Sequence, residues 1–339
     1  MIANVTGNGR SVGITGIGAH VPQRVLTNAD LEQIVETSDE WITERTGIRE
    51  RRIAADDEAA SDLALPAARL ALERAGVEAA DVDLVIVATS TPDMFFPTTA
   101  TIVGNELGAS RAAAYDLLAA CTGFIYGLAQ AHGQISAGLS DRALVVGTEA
   151  LSKIVDWSDR STWILFGDGA GAAVVEAVPQ GGFIGFELGA DGSGGDDLYI
   201  RAGGSRAPAT AETVAHDLHS IRMRGQEVFR FATRIMVSSA QTLLDECDAT
   251  VDEVDLYVPH QANKRIIDHA ARNLALDREK VFLNIDRYGN TSAASIPICL
   301  ADALASGRLE PGDRVLMSAV GGGFTWGSAY MTWTGRNGA

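Results

Sequence analysis

The feature that most constrains this chain is an internal repeat at a spacing of 172 residues. VDLVIV, with Asp83-Leu84, returns as VDLYVP, with Asp255-Leu256, 172 positions later. DRALVVG, from Asp141-Arg142, returns as DRVLMSA, from Asp313-Arg314, at the same offset. The segment at Val12-Gly13 maps by that offset to Ile184-Gly185 in GGFIGFEL. The recurring runs are short and largely apolar, as strands buried on both faces are. Three strand landmarks at one spacing predict a duplicated α/β unit. It divides the chain into an N-terminal half, residues 1–178, and a C-terminal half, residues 179–339.

Inside the first half, Ala112 to Gly138 reads AAAYDLLAACTGFIYGLAQAHGQISAG. An apolar run passes Asp116, meets Cys121, and continues through Thr122-Gly123 into a nearly uncharged stretch. The pattern predicts buried strand, tight turn and buried helix, with Cys121 at the helix N-terminus. Unpaired N–H groups and the helix dipole there favour a thiolate. A lone cysteine in an apolar run is as readily a small buried hydrophobe. The 172-residue offset carries Cys121 onto Ala293 in YGNTSAASIPICLADAL, a second small-residue helix. One central helix from each half between two half-sheets predicts a five-layer α/β/α/β/α sandwich.

Charge excludes whole function classes. The formal net charge of −17 argues against general attraction to nucleic acid or an anionic membrane. Cys121, Cys247 and Cys299 are odd in number and far apart, so they form neither a disulfide framework nor a zinc motif. The first residues show no signal-peptide pattern, and no apolar run is long enough to span a bilayer. The expectation is a cytoplasmic protein that needs no metal.

Several segments carry candidate chemistry. In SDEWITERTGIRERR, Ser38 suits a helix cap, and Trp41 and Arg45 share a face at i and i+4. A Trp beside arginines is plain surface packing or a stack for a flat anionic ligand. PDMFFP, Pro92 to Pro97, exposes Phe95 and Phe96 on a loop, which suggests contact with a partner subunit or ligand. FGDGAGAAVVEAV, from Phe166, matches neither a P-loop nor a dinucleotide fingerprint. A later helix is expected to carry Arg222, Arg224 and Gly225, followed by Phe229. In the second half His260 follows VDLYV, Asn290 follows the strand-like VFLNIDR, and a triple glycine follows DRVLMSA. Each alone reads as an ordinary turn or hydrogen-bonding residue. Together with Cys121 they fall at one end of the inferred sheets, where open parallel sheets bind ligands.

ACTGFIYGLA, PHQANKRII, YGNTSAASIP and GGGFTWGSA, in this order, resemble the signature segments of β-ketoacyl-acyl carrier protein synthase III, of the thiolase superfamily. SDEWITERTGIRERR and DRSTWILFGDGAGA resemble further hallmarks. The family fold is the duplicated thiolase-like five-layer α/β/α/β/α sandwich. The resemblance implies that Cys121 takes an acyl group from acyl-CoA as a covalent thioester. It implies that His260 and Asn290 bind the thioester carbonyl of malonyl-acyl carrier protein, so that decarboxylation yields a carbanion for Claisen condensation. The backbone N–H groups of Cys121 and Gly322 would form the oxyanion hole. Trp41, Arg45, Arg160, Gly225, Phe229, Ala262, Asn263 and Arg265 match coenzyme-binding or tunnel positions. Arg222, Arg224, Lys264 and Arg265 would form a basic rim for an acidic carrier protein. Phe96 and Phe166 match positions at the acyl pocket and the interface of a homodimer. No metal or cofactor is implied, acyl-CoA being a substrate. Two positions depart from the pattern. Val320 stands where related enzymes often carry Phe, and Trp163 is large for its strand position. Both bear on the shape of the acyl or pantetheine space.

Initiation of type II fatty-acid synthesis is the reading this favours. The alternative within the family is a specialised-metabolism condensing enzyme or acyltransferase with an unusual starter. A cysteine hydrolase would need His260 as base for the thiol, plus a water path. A non-catalytic acyl-CoA binder would leave Cys121 unacylated.

Overall fold

The computed structural model describes residues 2–5 and 10–335. Two five-stranded sheets dominate. The first contains β1 (Val12–His20), β2 (Leu84–Ala88), β3 (Ala113–Leu117), β4 (Arg142–Glu149) and β5 (Gly169–Ala177), in the order β1-β5-β4-β2-β3. The second contains β6 (Gly182–Ala190), β7 (Leu256–Pro259), β8 (Arg314–Gly321) and β9 (Thr325–Thr332). Its order is Ile2–Asn4, β6, β9, β8, β7. Both sheets are mixed. β2 is parallel to β3 and β4, and β7 to β8, while the remaining pairs are antiparallel.

The repeat is visible in the fold. β2 and β7 begin at Leu84 and Leu256, and β4 and β8 begin at Arg142 and Arg314. Asp83 accepts from the Arg142 N–H, and its counterpart Asp255 accepts from the Arg314 N–H. The helices are α1 (Asp39–Thr46), α2 (Ala60–Ala75), α3 (Thr99–Leu107), α4 (Gly123–Ser136), α5 (Gly225–Glu246), α6 (Lys264–Asn273) and α7 (Ser295–Ala305). The central helices α4 and α7 start 172 residues apart, each after a 3₁₀ turn, Ala120–Thr122 and Ser292–Ala294.

Two departures from the repeat concern the second half. VFLNIDR does not form a strand. Val281 makes one parallel bridge to Tyr257, and Ile285–Tyr288 is a short helix. The fifth place in that sheet is taken at the opposite edge by Ile2–Asn4, paired antiparallel with β6. The boundary at 178/179 falls between β5 and β6, and the N-terminal strand crosses it.

Packing accounts for the layers. One apolar cluster unites the inner faces of both sheets with α4 and α7. A second lies between the first sheet and α2 and α3, and a third between the second sheet and α5 and α6. Helices buried on all sides must be apolar all round, and α7 shows this, with Ile296, Pro297, Ile298, Cys299 and Leu300 all buried. Small residues permit the close approach. A Cβ on Gly147 of β4 would stand 2.2 Å from the Ala293 carbonyl oxygen.

A fourth cluster, under α1, surrounds a fully buried arginine. Arg51 donates to the Leu26 carbonyl at 3.2 Å, Asn28 Oδ1 at 2.9 Å and the Ile164 carbonyl at 2.7 Å. Burial pushes its guanidinium down to about 10. Arg51→Met would leave three buried acceptors short of a donor. The expected result is a loss of roughly 2–4 kcal/mol, seen as a lower urea midpoint at unchanged slope.

Candidate active site

Cys121, His260 and Asn290 arrive on one cavity of about 700 Å³. Strand ends deliver the first two: β3 ends four residues before Cys121, and β7 ends immediately before His260. Asn290 is fixed by its backbone, which donates to the Leu165 carbonyl at 2.8 Å and accepts from the Gly167 N–H at 3.0 Å. The cavity also borders Gly321, Gly322, Phe166 and Val320. His260, Asn290 and Phe166 are buried, so they form its floor, while Arg45, Arg230 and Arg265 are exposed at its mouth.

The local conformation around Cys121 is unusual. Ala120 has φ 46, and its 172-residue counterpart Ser292 also has φ 46. Non-glycine residues seldom adopt this region, and its recurrence marks the same sharp elbow in both halves. Cys121 lies in the 3₁₀ turn, one step ahead of α4. A Cβ on Gly321 would stand 3.0 Å from the Cys121 nitrogen, so glycine keeps that N–H approachable.

Electrostatics correct one expectation. A cysteine at a helix start was expected as a thiolate, but burial pushes the Cys121 thiol up to about 12. Its hydrogen bonds to Ser292 and to its own backbone lower it, and the Glu149 carboxylate raises it. The resting group is the thiol. Burial also pushes His260 down to about 3, so the imidazole is neutral at physiological pH. Its Nδ1 pairs with Ser295 Oγ at 2.6 Å, which leaves Nε2 for the cavity. Asn290 Oδ1 accepts from the Ser292 N–H at 2.9 Å, which leaves the amide NH₂ as the free donor.

The mouth is built by α1, α5 and α6. Trp41, Arg45, Gly225, Phe229, Ala262, Asn263 and Arg265 all border the cavity. Asn263 caps α6 through the Arg265 N–H at 2.9 Å and donates to the Arg45 carbonyl at 3.0 Å, tying α6 to α1. The Trp41 ring carries the Arg45 guanidinium at 4.7 Å and that of Arg160 at 5.5 Å. Arg265 lies 5.6 Å from the Phe229 ring.

The remaining sequence candidates are placed elsewhere. Arg222 and Arg224 precede α5 and do not lie on it. Arg222 is held between Asp156 at 2.9 Å and Asp217 at 2.7 Å. Arg224 pairs with Asp197 at 3.4 Å, and Lys264 with Asp268 at 2.5 Å. Phe96 is 84% exposed and Phe95 78%, both away from the cavity. Trp163 lies in a turn, not in a strand, buried 5.0 Å from the Trp157 ring and outside the cavity lining. Sequence reasoning missed Glu149, which is fully buried at the end of β4 beside Cys121. Among the described residues no group of three or more His, Cys, Asp or Glu is placed to hold a metal ion. No helix there is long and apolar enough to cross a membrane.

Comparison with known proteins gives a consistent result. Residues 115–192 match the family described as 3-oxoacyl-[acyl-carrier-protein] synthase III, and residues 244–333 match its C-terminal counterpart. The chain is 56% identical over 325 residues to the β-ketoacyl-[acyl-carrier-protein] synthase III of Symbiobacterium thermophilum, covering 96% of this chain and 98% of the relative. It is 54% identical over 327 residues to that of Desulfitobacterium hafniense, covering 96% and 99%. The crystal structure of the Thermus thermophilus synthase III superposes with a TM-score of 0.89 at 50% identity, covering 96% of this chain and all of that one. The duplicated thiolase-like sandwich, the cavity at its strand ends and identity above one half over nearly the whole length agree: the chain belongs to the β-ketoacyl-[acyl-carrier-protein] synthase III family.

Proposed function

We propose that this protein starts type II fatty-acid synthesis by condensing an acyl-CoA with malonyl-acyl carrier protein. The observation that carries this reading is one cavity floor with a thiol, a neutral imidazole and an oriented amide. In the first half-reaction the coenzyme lies along Trp41, Arg45, Arg160, Gly225, Phe229, Ala262, Asn263 and Arg265. Cys121 attacks the thioester carbonyl and loses its thiol proton, the N–H groups of Cys121 and Gly322 hold the oxyanion, and on collapse the acyl–sulfur bond to the coenzyme breaks, so that the coenzyme leaves as its thiol. An adenine between Trp41 and Arg160 requires the guanidinium to move outward, since it already rests 5.5 Å from the Trp41 ring.

In the second half-reaction His260 Nε2 and the Asn290 amide donate to the malonyl thioester carbonyl. The carboxylate leaves as carbon dioxide and the resulting enolate is held by the same two donors. Its carbon attacks the acyl-Cys121 carbonyl, the C–S bond breaks, the Cys121 sulfur regains a proton from solvent, and the 3-ketoacyl product departs on the carrier protein. Docking of the acidic carrier falls to the basic rim. Arg265 carries most of the free charge, because Arg222, Arg224 and Lys264 are already paired with carboxylates. The exposed Phe95-Phe96 loop supports a homodimer in which Phe96 reaches the partner's acyl pocket near Phe166. The location is cytoplasmic, and no cofactor is required.

The test follows the intact mass of the protein with a panel of acyl-CoAs, before and after malonyl-acyl carrier protein is added. The expected result is one acyl adduct on Cys121, discharged into a 3-ketoacyl product. Release of free acid as the main turnover would replace this reading with a hydrolase. The names of the relatives favour fatty-acid initiation over a specialised-metabolism starter enzyme. Loading by short chains and not by aromatic ones is the corresponding outcome here.

A further inference from the structure

The two N–H groups assigned to the oxyanion come from different halves of the chain. Cys121 stands in the Ala120–Thr122 turn of the first half, and Gly322 in the turn between β8 and β9 of the second. Their spacing is therefore set by tertiary contact. Two threonine hydroxyls join these turns. The Thr122 hydroxyl, fully buried, donates to the Ala119 carbonyl at 2.6 Å. The Thr325 hydroxyl donates to the same carbonyl at 3.1 Å, and its oxygen lies 2.9 Å from that of Thr122. Thr325 has one hydroxyl proton. Whether that proton serves the Ala119 carbonyl or the Thr122 oxygen, it ties the first residue of β9 to the turn that carries the thiol. Gly321, paired with Thr325 across the hairpin, is where the groups converge. A Cβ there would stand 2.8 Å from Thr325 Oγ1, 2.9 Å from the Ala119 oxygen and 3.0 Å from the Cys121 nitrogen.

The repeat separates this clamp from what the elbow needs in order to fold. In the second elbow Ser292 holds the same φ of 46 as Ala120. There the Ala294 N–H donates to the Thr291 carbonyl at 2.9 Å, as the Thr122 N–H donates to Ala119 at 3.2 Å. The hydroxyls do not recur. The counterpart of Thr122 is Ala294, and that of Thr325 is Lys153, whose ammonium donates to the Asp56 carbonyl at 2.9 Å. The elbow thus keeps its shape with no hydroxyl at either place. Where the thiol stands, the hydroxyls add a fixed link to the triple-glycine turn.

We propose that Thr325, acting with Thr122, is a positioning residue that sets the oxyanion hole by holding the Cys121 N–H in register with that of Gly322. The proposal rests on Cys121 being the nucleophile and on these two N–H groups receiving the oxyanion. Donors stabilise a developing charge when they are already aimed at it, so a link that removes play between the two turns lowers the barrier without touching substrate. Among the described residues that border the cavity are Gly321 and Gly322 but neither threonine. The effect belongs to steps that pass through a tetrahedral centre on Cys121. Loss of carbon dioxide draws on His260 and Asn290 and does not need the clamp.

The experiment compares two rates on each purified protein. One is single-turnover acylation by acyl-CoA, read as intact mass, and the other is carbon dioxide release from malonyl-acyl carrier protein. Thr325→Val removes the hydroxyl and keeps the β-branched shape that suits β9. It is expected to slow acylation at saturating acyl-CoA by about 10-fold to 10²-fold. The half-saturating acyl-CoA concentration and carbon dioxide release should stay at their wild-type values. Thr325→Ser, which keeps the hydroxyl, should restore most of the acylation rate. Thr122→Val reaches the same contact from the other half and decides the matter should Thr325→Val fail to fold. It should slow acylation in the same selective way, and the double variant should lose less than the product of the two. Acylation at the wild-type rate in the valine variants overturns the assignment. An equal fall in acylation and carbon dioxide release also overturns it, since the threonines would then serve the fold alone, and so does a serine variant as slow as the valine one. Each of these results leaves Cys121 as the nucleophile, whereas absence of any adduct on wild type overturns both.

Discussion

Cys121→Ala is expected to abolish acyl-enzyme formation and to lower condensation by at least about 10⁴-fold, the scale seen when a covalent nucleophile is removed. Binding of acyl-CoA and slow release of carbon dioxide from malonyl-acyl carrier protein should persist. The reason lies in how the cavity is divided. In the proposed reaction the thiol only holds the acyl group, and the donors to the malonyl carbonyl come from His260 and Asn290, which border the same cavity. Alanine keeps the backbone N–H that borders Gly321. It suits a turn whose counterpart in the second half carries Ala293. Mass spectrometry with acyl-CoA and carbon dioxide release with malonyl-acyl carrier protein read the two halves separately. An adduct of unchanged stoichiometry on the alanine variant would place the nucleophile elsewhere.

The frame of this molecule was legible because duplication writes itself into spacing. The onsets of β2 and β7, and of β4 and β8, fall at the 172-residue offset read from the two Asp-initiated apolar runs. The convergence of Cys121 and His260 followed from their places at the ends of strands, whereas Asn290 reaches the same cavity from a turn after the short helix Ile285–Tyr288. The illegible parts are those that tertiary contact decides. VFLNIDR has the composition of a strand, yet it makes one bridge to β7, and Ile2–Asn4, remote in sequence, supplies the fifth strand at the other edge. Arg222 reads as a free cation, but Asp156 and Asp217, distant in sequence, close on it. The helix-start argument for a thiolate is local, and burial under the Ser292–Ala294 turn outweighs it. Glu149 in VVGTEALSK looks like a surface residue at a strand end. The one signal that could have singled it out was the offset itself, which sets it opposite Gly321.

His260→Ala should give the complementary result. Carbon dioxide release and condensation fall by about 10²–10³-fold, the usual value of one oxyanion donor, while Cys121 still takes up the acyl group. The imidazole is suited to donating and not to proton abstraction. Burial holds it down to about 3, and its Nδ1 is engaged by Ser295, so Nε2 is the nitrogen left for the cavity. The sign of the pH dependence follows. A group whose folded value is lowered stays neutral at every pH above that value, so protonation of His260 sets no limb in decarboxylation between pH 5 and 8. Asn290→Ala acts on the same oxygen through the amide that Ser292 orients. Because both donors serve one developing charge, the double variant should lose less than the product of the single losses. Retained acylation in His260→Ala is the outcome that separates this chemistry from a cysteine hydrolase. There the imidazole would be the base for the thiol, and acyl-enzyme formation would disappear together with the histidine.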